Sequence, residues 1–223
     1  MRQPLAKRVV AEVFGTFFLL AAVVGSGIMA ERLAGGNVAL ALLANTAATG
    51  TALVALIISF APMSGAHFNP VVTLSFALRH DLLWRDVPFY MLAQLLGGIG
   101  GVIAANVMFG LPAVFASRHP RTGLAQLFSE FIATLGLVSV ILAASRSTIA
   151  VVAIAVGAYI SAAYWFTAST SFANPAVTVA RCLSDTFAGI RPVDVPGFVL
   201  AQLAGGVVAT VLFRWLAPTR DNE

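Results

Sequence analysis

The sequence predicts an all-α membrane protein in which six helices cross the membrane and two shorter helices enter it without crossing. An apolar composition, six long segments nearly free of charge and a duplicated Asn-Pro sequence predict this class. Of the 223 residues, 59% are hydrophobic and only 10% are charged, whereas an ordinary soluble domain carries about 25% charged residues. The mean hydropathy of +0.92 indicates that most of the surface lies in lipid.

Six segments are long enough to cross the hydrocarbon layer, for which a helix needs roughly 20 apolar residues. They lie at about 9–30, 38–60, 86–108, 125–145, 148–167 and 194–216. The first follows a basic N-terminus as a secretory signal does, but Glu12 at its start and a later copy of its pattern indicate a retained helix. The net charge of +4 is spread over the connections without a basic run, so no nucleic-acid partner is expected.

Six crossings place both termini on one side of the membrane. With the N-terminus in the cytoplasm, 8 of the 13 Lys and Arg residues lie on the inner side, and the other 5 lie outside at Arg32, Arg118, Arg121, Arg181 and Arg191. Cytoplasmic connections are enriched in Lys and Arg. The count therefore favours a multi-pass protein of the inner (plasma) membrane with both termini cytoplasmic.

Three sequence features occur twice in the same order. They are a Glu that opens an apolar helix (Glu12 and Glu130), an Asn-Pro sequence (69–73 and 174–178) and an Ala-Gln-Leu-x-Gly-Gly segment (93–98 and 201–206). Because each half contains three crossings, the second half must enter the membrane inverted. We predict one domain over 1–223, made of inverted repeats 1–115 and 122–223, with the site between them near the membrane midplane.

A short helix is predicted to follow each Asn-Pro pair. Pro at the first helical position lacks the N–H that would be unpaired there, and the preceding Asn side chain accepts a bond from one that remains. The helix from Pro70 to about Leu78 has some nine residues, or roughly 13 Å. The helix from Pro175 to about Leu183 is similar. Both are too short to cross, so each must dip into the membrane and stop midway.

Irregular backbone at membrane depth is tolerated only where protein covers it or where it lines a wet cavity. Two such segments meeting at Asn69 and Asn174 therefore predict a water-filled path. The N-terminus of a helix carries about half a positive charge, and the Asn side chains offer N–H donors. The path should repel cations and hydrogen-bond neutral oxygen atoms.

With these features the sequence resembles the aquaporin and aquaglyceroporin (major intrinsic protein) family over nearly its whole length. The resemblance rests on the opening Glu of each half, both Asn-Pro signatures and the Gly-rich third and sixth crossings. It implies a homotetramer with one pore in each monomer. It also implies a central pore motif, formed by Asn69, Pro70, Val71, Asn174, Pro175 and Ala176.

Three residues are assigned to the scaffold of this pore. In the family, the glutamates that correspond to Glu12 and Glu130 accept hydrogen bonds from the two re-entrant loops, and this role is favoured over contact with solute. His67 is favoured as a packed, hydrogen-bonded loop residue over a proton switch. The Gly pairs at 97–98 and 205–206 are expected to allow close helix crossing.

The family filters solutes at a constriction, and offsets from the two Asn residues carry its four positions over to Thr49, Ala162, Ser171 and Val177. The usual sets keep an Arg at the last of these positions, where this sequence has Val177. A guanidinium supplies fixed donors and a full positive charge. Its loss predicts a wider and more apolar filter.

Three neighbouring residues need an interpretation. Arg181 lies one helical turn after Val177 and either lines the outer vestibule or caps the half-helix and pairs with Asp185 at i+4. Val71 replaces the usual Ala near the central contact and is expected to have a small effect. Cys182 is favoured as a packing residue over a thiol ligand for arsenic.

A wide filter short of donors suits solutes that are bulkier than water and bring their own hydroxyl groups. The resemblance is to a bacterial aquaglyceroporin branch associated with arsenic resistance. It implies passive conduction of arsenite, methylated trivalent arsenicals and other small polyols. A glycerol, urea or water facilitator is the alternative.

Two other functional classes are disfavoured. A secondary transporter normally carries ionisable residues near the midplane for coupling, and only the two scaffold glutamates qualify here. Ser64 and His67 are the residue types of a nucleophile and its base, but the sequence supplies no third member of a triad. It also lacks a metal-ligand cluster and a phosphate-binding Gly loop. We therefore predict no enzyme, no cofactor and no bound metal.

Overall fold

The structure, a computed structural model, describes residues 3–216, and within this range all regular structure is helical. The α-helices are α1 (Leu5–Leu33), α2 (Val38–Ser64), α3 (Pro70–Leu78), α4 (Val87–Met108), α5 (Leu124–Ala144), α6 (Ile149–Phe166), α7 (Pro175–Arg181) and α8 (Val195–Leu216). Short 3-10 turns precede α4 and α8. The six helices other than α3 and α7 are long and apolar enough to cross a membrane. The predicted all-α class with six crossings is confirmed.

The second crossing helix is longer than the sequence suggested. α2 runs to Ser64 and passes through Pro62, whereas the predicted segment ended at residue 60. Because Pro62 has no N–H, the carbonyl of Ile58 lacks its usual helical partner, and α2 ends within three residues of this interruption. The helix ends at Gly65, whose φ of 92° is left-handed and whose N–H donates to the carbonyl of Ala61 at 3.0 Å. Gly adopts this conformation without a steric penalty.

Helices α1 and α4 form one closely packed pair, and α5 and α8 form another. A Cβ atom built on Gly97 of α4 would lie 2.3 Å from the carbonyl oxygen of Val13, and one on Gly205 of α8 would lie 2.3 Å from that of Phe131. No real Cβ tolerates such a distance, so only Gly allows the helices to approach this closely. The expected role in close helix crossing is confirmed for Gly97 and Gly205, whereas Gly98 and Gly206 face the half-helices α7 and α3.

The short helices α3 and α7 lie between the long ones and begin near each other in the interior. α3 has 9 residues and α7 has 7, and both pack against α4 and α8. Each starts with an Asn at the N-cap and a Pro at the first helical position. The sequence signal for these helix starts is therefore confirmed, although α7 ends two residues earlier than expected.

Candidate functional site

The two half-helices are tied together at their N-termini by reciprocal hydrogen bonds. Nδ2 of Asn69 donates to the carbonyl of Ala173 at 2.7 Å, and Nδ2 of Asn174 donates to the carbonyl of Phe68 at 2.8 Å. Each Oδ1 accepts from backbone N–H groups in the first turn of its own half-helix. Each amide retains a second N–H, and both Asn residues border a central cavity. The pair can therefore offer donors to a solute.

The carboxylate of Glu12 on α1 holds in place the loop between α2 and α3, residues 65–69, which we call the first loop. Its Oε1 accepts from the Ser64 hydroxyl at 2.6 Å and from the N–H of His67 at 3.0 Å. Its Oε2 accepts from the N–H of Phe68 at 2.7 Å and from Nε2 of Gln94 at 2.8 Å. The φ of Phe68 is 49°, a left-handed conformation that a bulky residue keeps only when its surroundings enforce it.

Glu130 on α5 has the same role for the loop between α6 and α7, residues 167–174, which we call the second loop. Its Oε1 accepts from the N–H of Phe172 at 2.9 Å, and its Oε2 accepts from the N–H of Ala173 at 2.9 Å and from Nε2 of Gln202 at 2.6 Å. The φ of Ala173 is also 49°. Both glutamates are fully buried, and neither borders the central cavity. They support the loops that form the cavity wall.

The central cavity has a volume of about 300 Å³ and lies between the two loops and α1, α2, α5 and α6. Apart from the loop residues, its walls are mostly apolar side chains of these helices. A second and more polar cavity of about 820 Å³ adjoins it on the side where α1 begins and α8 ends, which we call the termini side. Ala61, Gly65, His67 and Phe76 border both cavities. The two cavities thus form adjacent sections of one path.

Three of the four predicted filter residues, Thr49, Ser171 and Val177, border the central cavity. Ala162 does not, because it lies on the exposed surface of α6. Tyr164 borders the cavity instead, and its hydroxyl lies 3.4 Å from Oγ1 of Thr49. Two residues along an α-helix correspond to a rotation of about 200° around the helix axis, so the side chains at 162 and 164 point to opposite sides of α6. The predicted α6 position is therefore corrected from Ala162 to Tyr164.

Arg181 is buried at the end of α7 and borders the central cavity with Val177. Its guanidinium lies 3.4 Å from the ring centroid of Phe172, and its Nε donates to the carbonyl of Ala188. The alternative that Arg181 pairs with Asp185 is wrong. Asp185 accepts instead from the backbone N–H of Arg118 at 2.8 Å and from its Nε at 3.2 Å, and these bonds lower the pKa of the Asp185 carboxyl.

Arg121 is a second buried cation at this end of the cavity, and sequence reasoning missed it. Its Nε donates to the carbonyl of Gly189 at 2.8 Å and its Nη1 to that of Ser169 at 2.9 Å. Its guanidinium lies 4.8 Å from the Phe172 ring centroid. Burial lowers the pKa of Arg121 to about 10, which leaves the group charged at neutral pH. Arg121 lies in an irregular connection, where no helical pattern of apolar residues indicates which side chains are buried, so the sequence showed only its charge.

His67 lies where the sequence analysis favoured it, packed in the first loop. Its Nδ1 is 3.1 Å from Oγ1 of Thr73, and its ring packs on that of Phe76. The hydroxyl of Ser64 donates to Glu12 and accepts from a backbone N–H. Ser64 and His67 therefore do not form the nucleophile–base hydrogen bond that catalysis requires.

The remaining motif residues pack rather than line the cavity. Val71 faces α8, where a Cβ atom added to Gly206 would lie 2.1 Å from its Cγ1, so its extra methyl groups point away from the central contact. Cys182 is partly buried against the apolar core. The other three residues of the two signatures are buried at the starts of the half-helices: Pro70, Pro175 and Ala176.

Comparison with known proteins identifies the family of this chain. The family model described as major intrinsic protein matches residues 1–148 and 144–223. The chain is 56% identical over 212 residues to aquaglyceroporin AqpS of Rhizobium meliloti, covering 95% of this chain and 91% of that protein. It is 33% identical over 208 residues to aquaporin NIP1-3 of rice (Oryza sativa subsp. japonica), covering 90% of this chain and 71% of that protein.

The aquaglyceroporin of Plasmodium falciparum has the same fold, with a TM-score of 0.76 over 99% of this chain and all of that chain, at 22% sequence identity. The two matches to the family model together span all 223 residues, and the similarity to the Rhizobium protein covers 95% of the chain. The chain therefore belongs to the major intrinsic protein family, as a channel of its aquaglyceroporin branch and not an enzyme.

Proposed function

We propose that this channel passively conducts trivalent arsenic acids, namely arsenite as As(OH)3 and its methylated forms, together with other small polyols. The observation that carries the proposal is Val177, which borders the central cavity where the usual family filter has an Arg. Conduction of small neutral hydroxylated solutes is expected of any aquaglyceroporin. The proposal concerns the larger and partly methylated members of that class.

The surroundings of Val177 favour such solutes. Thr49 and Ser171 each add a small hydroxyl group to the same wall, and Ile160 and Tyr164 complete it on α6. A solute with several hydroxyl groups finds a few partners there, and a methyl group finds apolar surface. Ligand sites commonly combine such apolar walls with a small number of polar groups that fix orientation.

A glycerol, urea or water facilitator remains the second candidate function. One observation favours it: the buried hydroxyl Oγ of Ser171 has no hydrogen-bond partner within residues 3–216. A passing polyol or amide would satisfy this oxygen without needing a wide filter. The two candidates differ in the largest solute that passes, and hence in the filter width.

We also propose how the channel is assembled and placed. Large apolar side chains are exposed along the crossing helices, among them Phe14, Phe18, Leu96, Ile154 and Leu212, and they suit contact with lipid and with three further copies in a homotetramer. The excess of Lys and Arg on the termini side favours the inner membrane with cytoplasmic termini. The matching hydrogen bonds of Glu12 and Glu130 support one domain made of inverted repeats 1–115 and 122–223.

A flux panel on a single proteoliposome preparation tests the proposal. Water, glycerol, arsenite and methylarsenite are compared by stopped-flow light scattering and by uptake of arsenic, with protein-free liposomes as the baseline. We expect flux of both arsenicals well above that baseline. Flux of water and glycerol without arsenical flux would favour the facilitator, and flux of water alone would refute the proposal.

A further inference from the structure

The two buried guanidinium groups of Arg181 and Arg121 lie beside the same aromatic ring at the end of the cavity away from the termini side. Their centres are 3.4 Å and 4.8 Å from the Phe172 ring centroid, and the two residues are only 2% and 8% exposed. Two like charges so close together and so well buried are costly unless something offsets them.

No ion pair offsets them. Within residues 3–216, no carboxylate lies within 4.0 Å of either guanidinium. The carboxylate whose charge acts on both is Glu130, but its oxygens already accept three N–H bonds from the second loop and Gln202. The site therefore keeps a net positive charge.

The two arginines differ in how their donors are used. Arg121 donates to backbone carbonyls from Nε and Nη1, so its role is partly to hold the loops together. Arg181 donates only from Nε, and within the described residues its Nη1 and Nη2 have no hydrogen-bond partner. Because Arg181 borders the central cavity, these two nitrogens are available to a molecule inside it.

A third group points to a ligand. Oγ of Ser171 is buried and has no partner within the described part of the chain, and Ser171 borders the cavity together with Arg181. A planar guanidinium with two free donor nitrogens matches the oxygens of an oxyanion, and the hydroxyl of Ser171 in the wall of the same cavity can donate to one more.

We propose that Arg181, Ser171 and the nearby charge of Arg121 form a binding site for a small monovalent oxyanion inside the pore. The inference goes beyond conduction of neutral solutes, because it adds a charged ligand that enters from the side away from the termini. When bound, the anion occupies the passage beside Val177 and competes with neutral solutes. Arg181 is the residue that determines this specificity, from a position one turn after the usual filter Arg.

Methanesulfonate is a suitable probe, because it remains a monovalent anion at every practical pH and cannot enter as a neutral acid. Glycerol flux is measured by stopped-flow with sodium methanesulfonate on both sides of the membrane. Sodium gluconate at the same concentration has the same charge but a much longer six-carbon chain, so it controls for ionic strength and net charge. We expect methanesulfonate to inhibit glycerol flux in the unmodified channel and gluconate to have no effect.

The variants are Arg181→Gln and, as a matched control, Arg118→Gln, which removes an Arg whose side chain is 91% exposed near the same end of the protein. Arg181→Gln should weaken inhibition by methanesulfonate about tenfold or more, as expected for loss of a charge-assisted hydrogen bond. Arg118→Gln should leave the inhibition unchanged. Arg181→Lys keeps the charge but loses the bidentate hydrogen-bond geometry. Its inhibition by methanesulfonate should be weaker than in the unmodified channel and stronger than in Arg181→Gln.

A second measurement does not depend on flux and separates this inference from the proposed function. Methanesulfonate should raise the unfolding temperature of the purified protein relative to gluconate, because a ligand that binds only the folded state stabilises it. The rise should persist in Arg118→Gln and disappear in Arg181→Gln. Equal responses of the unmodified and Arg181→Gln proteins, or no response in either, would overturn the site, whatever neutral solutes the channel conducts.

Discussion

Gly206 on α8 lies against Val71 at the start of α3 so closely that a Cβ atom at Gly206 would stand 2.1 Å from Cγ1 of Val71. Val71 is larger than the Ala that is usual in the first Asn-Pro signature, and the facing residue on α8 is a Gly, which leaves room for it. Their contact joins α3, from the first half of the sequence, to α8, from the second half. It fixes where the first half-helix lies, and hence where Asn69 meets the second loop.

This contact predicts coupled effects of substitution. Gly206→Ala should destabilise the protein by about 1–3 kcal/mol, because overpacking forces neighbouring atoms to move. Val71→Ala removes the obstructing methyl groups, so the double variant should be more stable than the sum of the two single effects predicts. Unfolding temperatures in detergent measure this. Strict additivity would show that the two side chains do not compete for the same space.

The scaffold role of Glu130 gives a second prediction. Glu130→Gln replaces one carboxylate oxygen by an NH2 group, which must then face an N–H donor of Phe172, Ala173 or Gln202. A lost hydrogen bond with a buried unpaired donor costs about 1–3 kcal/mol. We expect a lower unfolding temperature and reduced glycerol flux per molecule.

The exposed Glu31 on α1 provides the control for this variant. Glu31→Gln changes the same chemical group without touching the loops, and should leave both quantities unchanged. If Glu130→Gln kept full stability and flux, the left-handed backbone of the second loop would not depend on the carboxylate.

The sequence was sufficient for the helices because their signals are local. Length and apolar character locate the six crossings, and Asn69 and Asn174 locate the half-helices through capping chemistry that involves adjacent residues only. The two scaffold glutamates could be assigned only through the resemblance to the family, and the physical reason for their role is simple. A buried charge in an apolar helix needs several donors, and an irregular loop is the element that has them.

The filter could be predicted only in part, because it depends on contacts between distant segments. The rotation of α6 is set by packing such as that of Ser161 against Gly50 on α2, so an offset counted along the chain placed Ala162 on the cavity instead of Tyr164. Arg121 was missed because the carbonyls that bind it, at Ser169 and Gly189, lie far from it in sequence. No local sequence pattern indicates such a site.

The orientation of α6, which places Ile160 and Tyr164 on the cavity and Ala162 on the outer surface, predicts different results for two substitutions on this helix. Ile160 borders the cavity, so Ile160→Phe should narrow the passage and reduce glycerol flux severalfold. Ala162 lies on the exposed surface, so Ala162→Phe should change flux little. Stopped-flow measurements on the two variants, normalised to protein content, check this. A larger effect at Ala162 than at Ile160 would restore the original assignment.

Val177 and Arg181 predict a further pair of variants. Val177→Arg places a second guanidinium one turn before Arg181, and like charges at i and i+4 repel each other. We expect lower stability, together with a loss of arsenical flux far larger than the loss of water flux. The double variant Val177→Arg/Arg181→Val returns the number of charges to its original value, so it should recover stability but not arsenical flux.

Equal losses of water and arsenical flux in Val177→Arg would contradict the proposed filter role of this position. Recovery of arsenical flux in the double variant would show that the loss came from charge repulsion rather than from narrowing. The panel of solutes proposed above serves for both measurements, with the unfolding temperature as the record of stability.

Asp185 and Arg118 predict how the stability of the connections depends on pH. The hydrogen bonds from Arg118 lower the pKa of Asp185 below its ordinary value of 3.8, so the folded protein favours the ionised carboxylate. This contribution to stability is fully present above the pKa of the unfolded chain and is lost as the pH falls through the lower folded-state pKa. Asp185→Asn should therefore unfold at a lower temperature than the unmodified protein at neutral pH, and the difference should shrink below about pH 4. Unfolding temperatures of the unmodified protein and of Asp185→Asn across a pH series measure this difference. A difference that grows in acid would show that the hydrogen bonds favour the protonated carboxyl instead.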